Sequence, residues 1–134
     1  CRRAHPYQPV IVLYSIPDRD VGGHSKGGLN QRQYLEFIDN VCKGIGTYNP
    51  IVILEPDAVP HMRKMNFYKK HKRTRLIKSA IKKLSSTNAV IYLDVGHPKW
   101  LNRTDVKTYF GLFIGKVATK LQTFLLVYLP LIAF

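Results

Sequence analysis

Three short apolar runs constrain this chain more than anything else in it: VIVLYSI from Val10, IVIL from Ile51 and AVIYL from Ala89. Each is rich in β-branched residues and continuous rather than alternating, which predicts strands buried on both faces; the first stops at Pro17. The spacers between them carry a different period. From about Asn30 to Lys43, Tyr34, Phe37, Ile38, Val41 and Cys42 recur at helical spacing, with Gly44 placed as the C-terminal stop. From Arg63 to Lys83, Leu76, Ile77, Ala80, Ile81 and Leu84 form one apolar face and the lysines and arginines are expected on the other. A third helix is expected to start at Asn102, whose side chain caps it, with Asp105 in the first turn where the helix dipole favours an anion. Strands alternating with helices predict parallel pairing through right-handed crossovers, and hence an α/β fold in one domain.

In parallel sheets and barrels, ligands gather beyond the carboxyl ends of the strands. Here every predicted strand ends in acid. The first runs into PDRD, with Asp18 and Asp20, the second into EPD, with Glu55 and Asp57, and the third into LDVGH, with Asp94 and His97. Five of the eight acidic residues of a chain with a formal charge of +13 therefore fall at strand ends.

A rim of carboxylates serves two chemistries. Repulsion within the cluster favours one group that keeps its proton and a neighbour that stays ionised, the division of labour that glycoside hydrolysis requires. The same oxygens suit Mg²⁺ or Ca²⁺. Structural ion pairs to Arg19 and the lysines are the third use. The glycine-rich GHSKGG that follows the first strand is able to fold over a ligand and offers Ser25, but it lacks the phosphate-cradling GxxxxGK[ST] pattern. Trp100, the only tryptophan, follows the third strand, where its ring either packs or stacks on a sugar face. Nucleophilic catalysis is poorly served, with no G-x-S-x-G elbow and neither cysteine at a strand end beside a histidine.

About half of the 21 lysines and arginines lie between Arg63 and Lys83. That surplus reads first as a solvated face, and second as a contact for nucleic acid or another polyanion. Cys1 and Cys42 have no metal or redox spacing, and an opening at Cys1 without methionine reads as a cut or processed start. The apolar FLLVYLPLIAF near the end is only about half the roughly 20 residues of a membrane-spanning helix, so no span is expected.

Taken together and in order, VLYSIPDRD, HSKGG, GIG, VILEPDA and IYLDVGHPKWL resemble glycoside hydrolase family 6, the cellulases, over about residues 9–105. The resemblance implies a distorted (β/α) barrel, of which about three βα units are recognisable, and hydrolysis of β-1,4-glucan with inversion and without a cofactor or metal. It implies Asp57 as the general acid and Asp20 as the second aspartate, which keeps that acid protonated, with Arg19 beside it. Tyr14 would crowd the sugar at the cleavage point and Ser25 would sit on a mobile loop near the catalytic water. Asp94, His97 and Trp100 would line the leaving-group side, the last as a stacking platform. It also implies a secreted, extracellular protein, in keeping with the NRT sequon at 102–104.

The departures are a paired loss of cysteines and a shortfall in length. Bacterial members commonly carry a cysteine after the Asp20 position and a partner beyond EPDA, where this chain has Val21 and Lys64. A complete barrel takes about 250 residues, so these 134 are expected to form a partial catalytic domain with 106–134 as a divergent apolar tail. Three strands alone would leave edges and apolar faces open. The alternative is an inactive relic or a remnant that binds carbohydrate or polyanions without turnover.

Overall fold

The computed structural model describes residues 1–4, 6–96, 100, 103–113 and 123–126. Strands β1 (Val10–Leu13), β2 (Ile51–Leu54), β3 (Val90–Asp94) and β4 (Thr123–Leu126) alternate with helices α1 (Gln31–Ile45), α2 (Phe67–Leu84) and α3 (Arg103–Phe113). The sheet is wholly parallel and follows chain order, β1-β2-β3-β4. The α/β reading holds, with one more strand than the three read from sequence: β4 lies in the apolar tail and pairs with β3 from Ile91↔Thr123 to Asp94↔Leu126. Among the described residues, no helix is long and apolar enough to cross a membrane.

The expectation that the strands are buried on both faces is corrected. Register aligns Ile11, Val52 and Ile91, then Leu13, Leu54 and Leu93, on one face. That face carries the core: Leu13, Val52, Leu54, Ile91 and Leu93 cluster with Tyr34 and Ile38 of α1 and with Leu76, Ile77, Ala80, Ile81 and Leu84 of α2. Side chains of the opposite face alternate with them, and there Val10 and Val12 are 58% and 55% exposed, while Ile51, Ile53, Val90 and Tyr92 are half-buried. Both large helices cover the same side, so a strand pleat of period two leaves the other side open.

Both helices owe their ends to local chemistry. The Asn30 side chain accepts from the Gln33 amide while Gln33 returns a bond to the Asn30 amide, a reciprocal cap that starts α1. The helix runs through Gly44 rather than stopping there, and ends where Gly46 takes φ 54°, a left-handed turn that costs glycine little. Asn66 caps α2 by accepting from the Lys69 amide, which leaves Arg63 and Lys64 in a separate 3-10 turn, Pro60–Lys64. The expected apolar face of α2 is buried as read. Arg73 is not on the opposite face: it lies three and four residues before Leu76 and Ile77, on their side, and is only 3% exposed.

Candidate active site

The turns after β1 and β2 meet above the sheet. Among the described residues, five non-glycine residues have positive φ, namely Asp18, Asp20, Val21, Glu55 and Asp57, and all five lie in these two turns. Such conformations cost about 1–3 kcal/mol each and persist where the surroundings over-determine them. Two buried charges supply that constraint. Glu55, with no exposed surface, accepts from the Ser15 amide at 3.0 and 3.2 Å and from the Ile16 amide at 3.0 Å, which draws the chain out of β1 toward β2. Arg73, rising from α2, donates to the carbonyls of Pro17 and Asp18 at 2.8 Å each and of Ala58 at 3.1 Å. One side chain thus clamps both turns from beneath.

On that frame, Asp20 accepts from the Ser25 amide at 2.8 Å, and its other oxygen lies 3.7 Å from Nε2 of His61. Arg19 donates to the carbonyls of Ser25 and Tyr14 at 2.7 and 2.8 Å, with its guanidinium 4.7 Å from the centre of the Tyr14 ring. Ser25 therefore enters the site through its backbone, and its residue is exposed. The Asp57 amide points at Asp94 Oδ1, 3.4 Å away, and that same oxygen accepts from the Gly96 amide at 2.6 Å. Asp94 is buried and so joins the turn after β2 to the turn after β3. Gly96, at φ 75°, has no room for a side chain: a Cβ there would come within 2.6 Å of Pro60, 3.1 Å of the Trp100 ring and 3.3 Å of Asp57 Oδ1. The Trp100 ring, about half exposed, is consequently a near neighbour of the Asp57 carboxylate. His97 lies outside the described residues.

Burial, more than mutual repulsion, moves the titrations here. Desolvation raises Glu55 to about 7 against the opposing pull of the Ile16 and Ser15 amides. It also raises Asp94, with the charge of Asp57 a minor contribution. Tyr14 is raised by burial first and then by Asp20 and Asp57, and His61 is lowered by burial although the same two aspartates favour its cation. Tyr14 and His61 are thus the two groups that feel both aspartates at once. Sequence reasoning placed Tyr14 here and missed His61 and Arg73. The signals were present: His61 follows Asp57 by one helical turn, and Arg73 keeps the apolar spacing of α2. Among the described residues, no three His, Cys, Asp or Glu side chains are grouped to hold a metal ion.

The profile of the family described as Glycosyl hydrolases family 6 matches residues 1–118. This chain belongs to that family. It is 43% identical over 94 residues to endoglucanase A of Cellulomonas fimi, a match spanning 70% of this chain and 20% of that protein. It is 30% identical over 110 residues to 1,4-beta-D-glucan cellobiohydrolase CEL6A of Podospora anserina, spanning 72% and 23%. In three dimensions it resembles the endoglucanase Cel6 of Mycobacterium tuberculosis, solved in complex with methyl-cellobiosyl-4-deoxy-4-thio-beta-D-cellobioside, with a TM-score of 0.81 and 29% identity over 92% of this chain and 42% of that one. The family 6 chain described here therefore spans about a fifth of the length of these curated relatives.

Proposed function

We propose that this chain is the acid-bearing part of a β-1,4-glucanase that works with inversion, and that its sheet is one arc of a (β/α) barrel. The observation that carries the reading is the meeting of Asp20 and Asp57, from two strand ends, around Tyr14 and His61 on a strained and clamped frame. Relatives named endoglucanase and cellobiohydrolase support the substrate. The barrel is supported by strand order and by the one-sided helices, because a doubly wound sheet would reverse order and cover both faces. In this reading the open face of Val10, Val12 and Ile53 is the inner barrel wall.

Asp57 donates its proton to the glycosidic oxygen as the bond breaks. Asp20 lies behind it as the second carboxylate, held by the Ser25 amide. An inverting enzyme needs its water-activating group about 6.5–9.5 Å from the acid, on the opposite face of the sugar. No residue of this chain is assigned that role. In this reading Trp100, whose ring converges with Asp57 at Gly96, stacks on the leaving sugar, and Tyr14 and Arg19 form the floor near the cleavage point. Secretion belongs to the same reading.

Reducing-sugar release from soluble β-glucan by the protein carrying this sequence is the test. Asp57→Ala should lower the rate by about 10²–10⁴-fold, the usual contribution of general acid catalysis. Equal rates in both proteins would remove Asp57 from the reaction. Binding of glucan without any turnover by either protein would favour the non-catalytic remnant.

A further inference from the structure

A cavity of about 500 Å³ opens beside the candidate acid, lined by Pro60, His61, Arg63, Lys64 and Trp100. Its position follows from Gly96, where Pro60, the Trp100 ring and Asp57 Oδ1 all converge. One wall is an aromatic face. Beyond Pro60 and His61 the lining is cationic, with Arg63 and Lys64, which a neutral glucan has no use for. Arg63 is fixed there by donating to the Trp100 carbonyl at 2.6 Å, and Asp105, 4.0 Å away, takes up part of its charge. Lys64 has no ion-pair partner among the described residues. The cationic tract does not stop at the cavity. Met62, between His61 and Arg63 in sequence, lines a second, largely apolar depression of about 410 Å³ with Phe67, Tyr109 and Leu112, to which Lys70, Arg75 and Lys78 add three cations. Helix α2 carries eight lysines and arginines and no acid; Arg73 is buried on the carbonyls beneath the turns, and among the described residues only Lys69 and Lys83 form ion pairs, with Asp18 and Asp39. Basic side chains thus continue from Arg63 and Lys64 onto α2, whose first turn also reaches the strand ends through the Lys69–Asp18 pair.

We propose that the glycan reaching Asp57 is carboxylated on its leaving-group side: a β-1,4-linked chain containing uronic acid, its ring against Trp100 and its carboxylates on Arg63, Lys64 and Lys70. The choice of a glycan over another polyanion rests on the glucanase reading above, because the tract begins at the sugar platform. Asp57, Asp94 and Asp105 repel a carboxylate placed at the strand ends themselves, so the charged sugar sits beyond them, over Lys64. Exposed ion pairs contribute about 0.2–1 kcal/mol each, so three of them give about a tenfold preference over the neutral chain.

The sole tryptophan makes the test local, since its fluorescence reports ligand at this cavity. The full chain is titrated with a cello-oligosaccharide and with the same oligomer oxidised to carboxylate at C6, at low salt and at about 1 M salt, where the screening length is about 3 Å. The proposal predicts about tenfold tighter binding of the oxidised oligomer at low salt, near equality at high salt, and loss of the preference in Lys64→Glu/Lys70→Glu, the first position exposed and the second half-buried, both outside the core. Neutral oligomer bound as tightly as the oxidised one would overturn this proposal and leave the glucanase reading standing. Binding of neither would overturn both. A preference that survives the double variant, or a single-stranded oligonucleotide that displaces the oxidised oligomer at lower concentration, would also overturn it.

Discussion

Glu55 and Arg73 are the residues on which the site's geometry depends, though neither is proposed to touch substrate. The Glu55 carboxylate is fully buried and titrates near 7 because burial outweighs the two amides that stabilise its charge. The Tyr34 hydroxyl, buried against it, helps to hold the pKa down without completing a hydrogen bond. The sign of the linkage follows. Between an unfolded value of 4.5 and a folded value of about 7 the folded protein binds more protons, so stability is greatest below 4.5 and is lost as pH rises through 7. That loss is on the order of 3 kcal/mol. Glu55→Gln cannot ionise, so urea unfolding at pH 5 and pH 8 should show that the wild-type minus variant difference in stability falls by this order between the two pH values. A difference that does not change would mean that Glu55 is solvated. The sequence listed Glu55 as one of the acids at a strand end, and its burial turns it into an anchor for Ser15 and Ile16. Arg73 was misplaced because charge was read by composition, whereas its spacing from Ile77 and Ala80 already put it on the buried face.

At the scale of the elements, the two glycines that end α1 separate pattern from conformation. Gly44 is helical, and a Cβ added there would meet nothing within 4 Å. Gly46 adopts the positive φ that turns the chain toward β2. Gly44→Ala should therefore stabilise the protein by up to about 1 kcal/mol, and Gly46→Ala should destabilise it by about the same amount, as chemical denaturation would show. Equal effects of one sign would contradict the assigned end. The strands, the caps and the apolar faces of α1 and α2 were legible in the sequence because period and capping are local. The end of α1 was not: GIG contains two glycines, and only the packing of Ile45, which is 1% exposed, decides which one turns. β4 was missed for a related reason. Its apolar run was weighed against a membrane span, and its partner, β3, lies some thirty residues earlier in the chain. The continuous apolar strands misled in another way, since continuity does not say whether a second layer within this chain covers the second face.

For the molecule as a whole, that uncovered face and the +13 charge are the dominant facts. A sheet whose large helices lie on one side presents Val10, Val12 and Ile53 as an apolar surface, the face proposed above as the inner wall of a barrel. This chain should accordingly bind a hydrophobic dye such as ANS in its folded state, and Val10→Asp/Val12→Asp should reduce that binding. No dye bound by the wild-type chain would show that the face is closed. The strand-end acids were visible in sequence as three separate tails, PDRD, EPD and LDVGH. Their convergence, and the histidine between two of them, required the fold. The most direct measurement of the account's central claim compares two glucosides of the same sugar chain in Asp57→Ala, one with a sugar leaving group and one with an activated nitrophenolate that departs without protonation. If Asp57 is the proton donor, the variant should lose about 10²–10⁴-fold on the first and far less on the second. Equal losses on both would show that Asp57 holds the substrate or the fold and does not supply the proton.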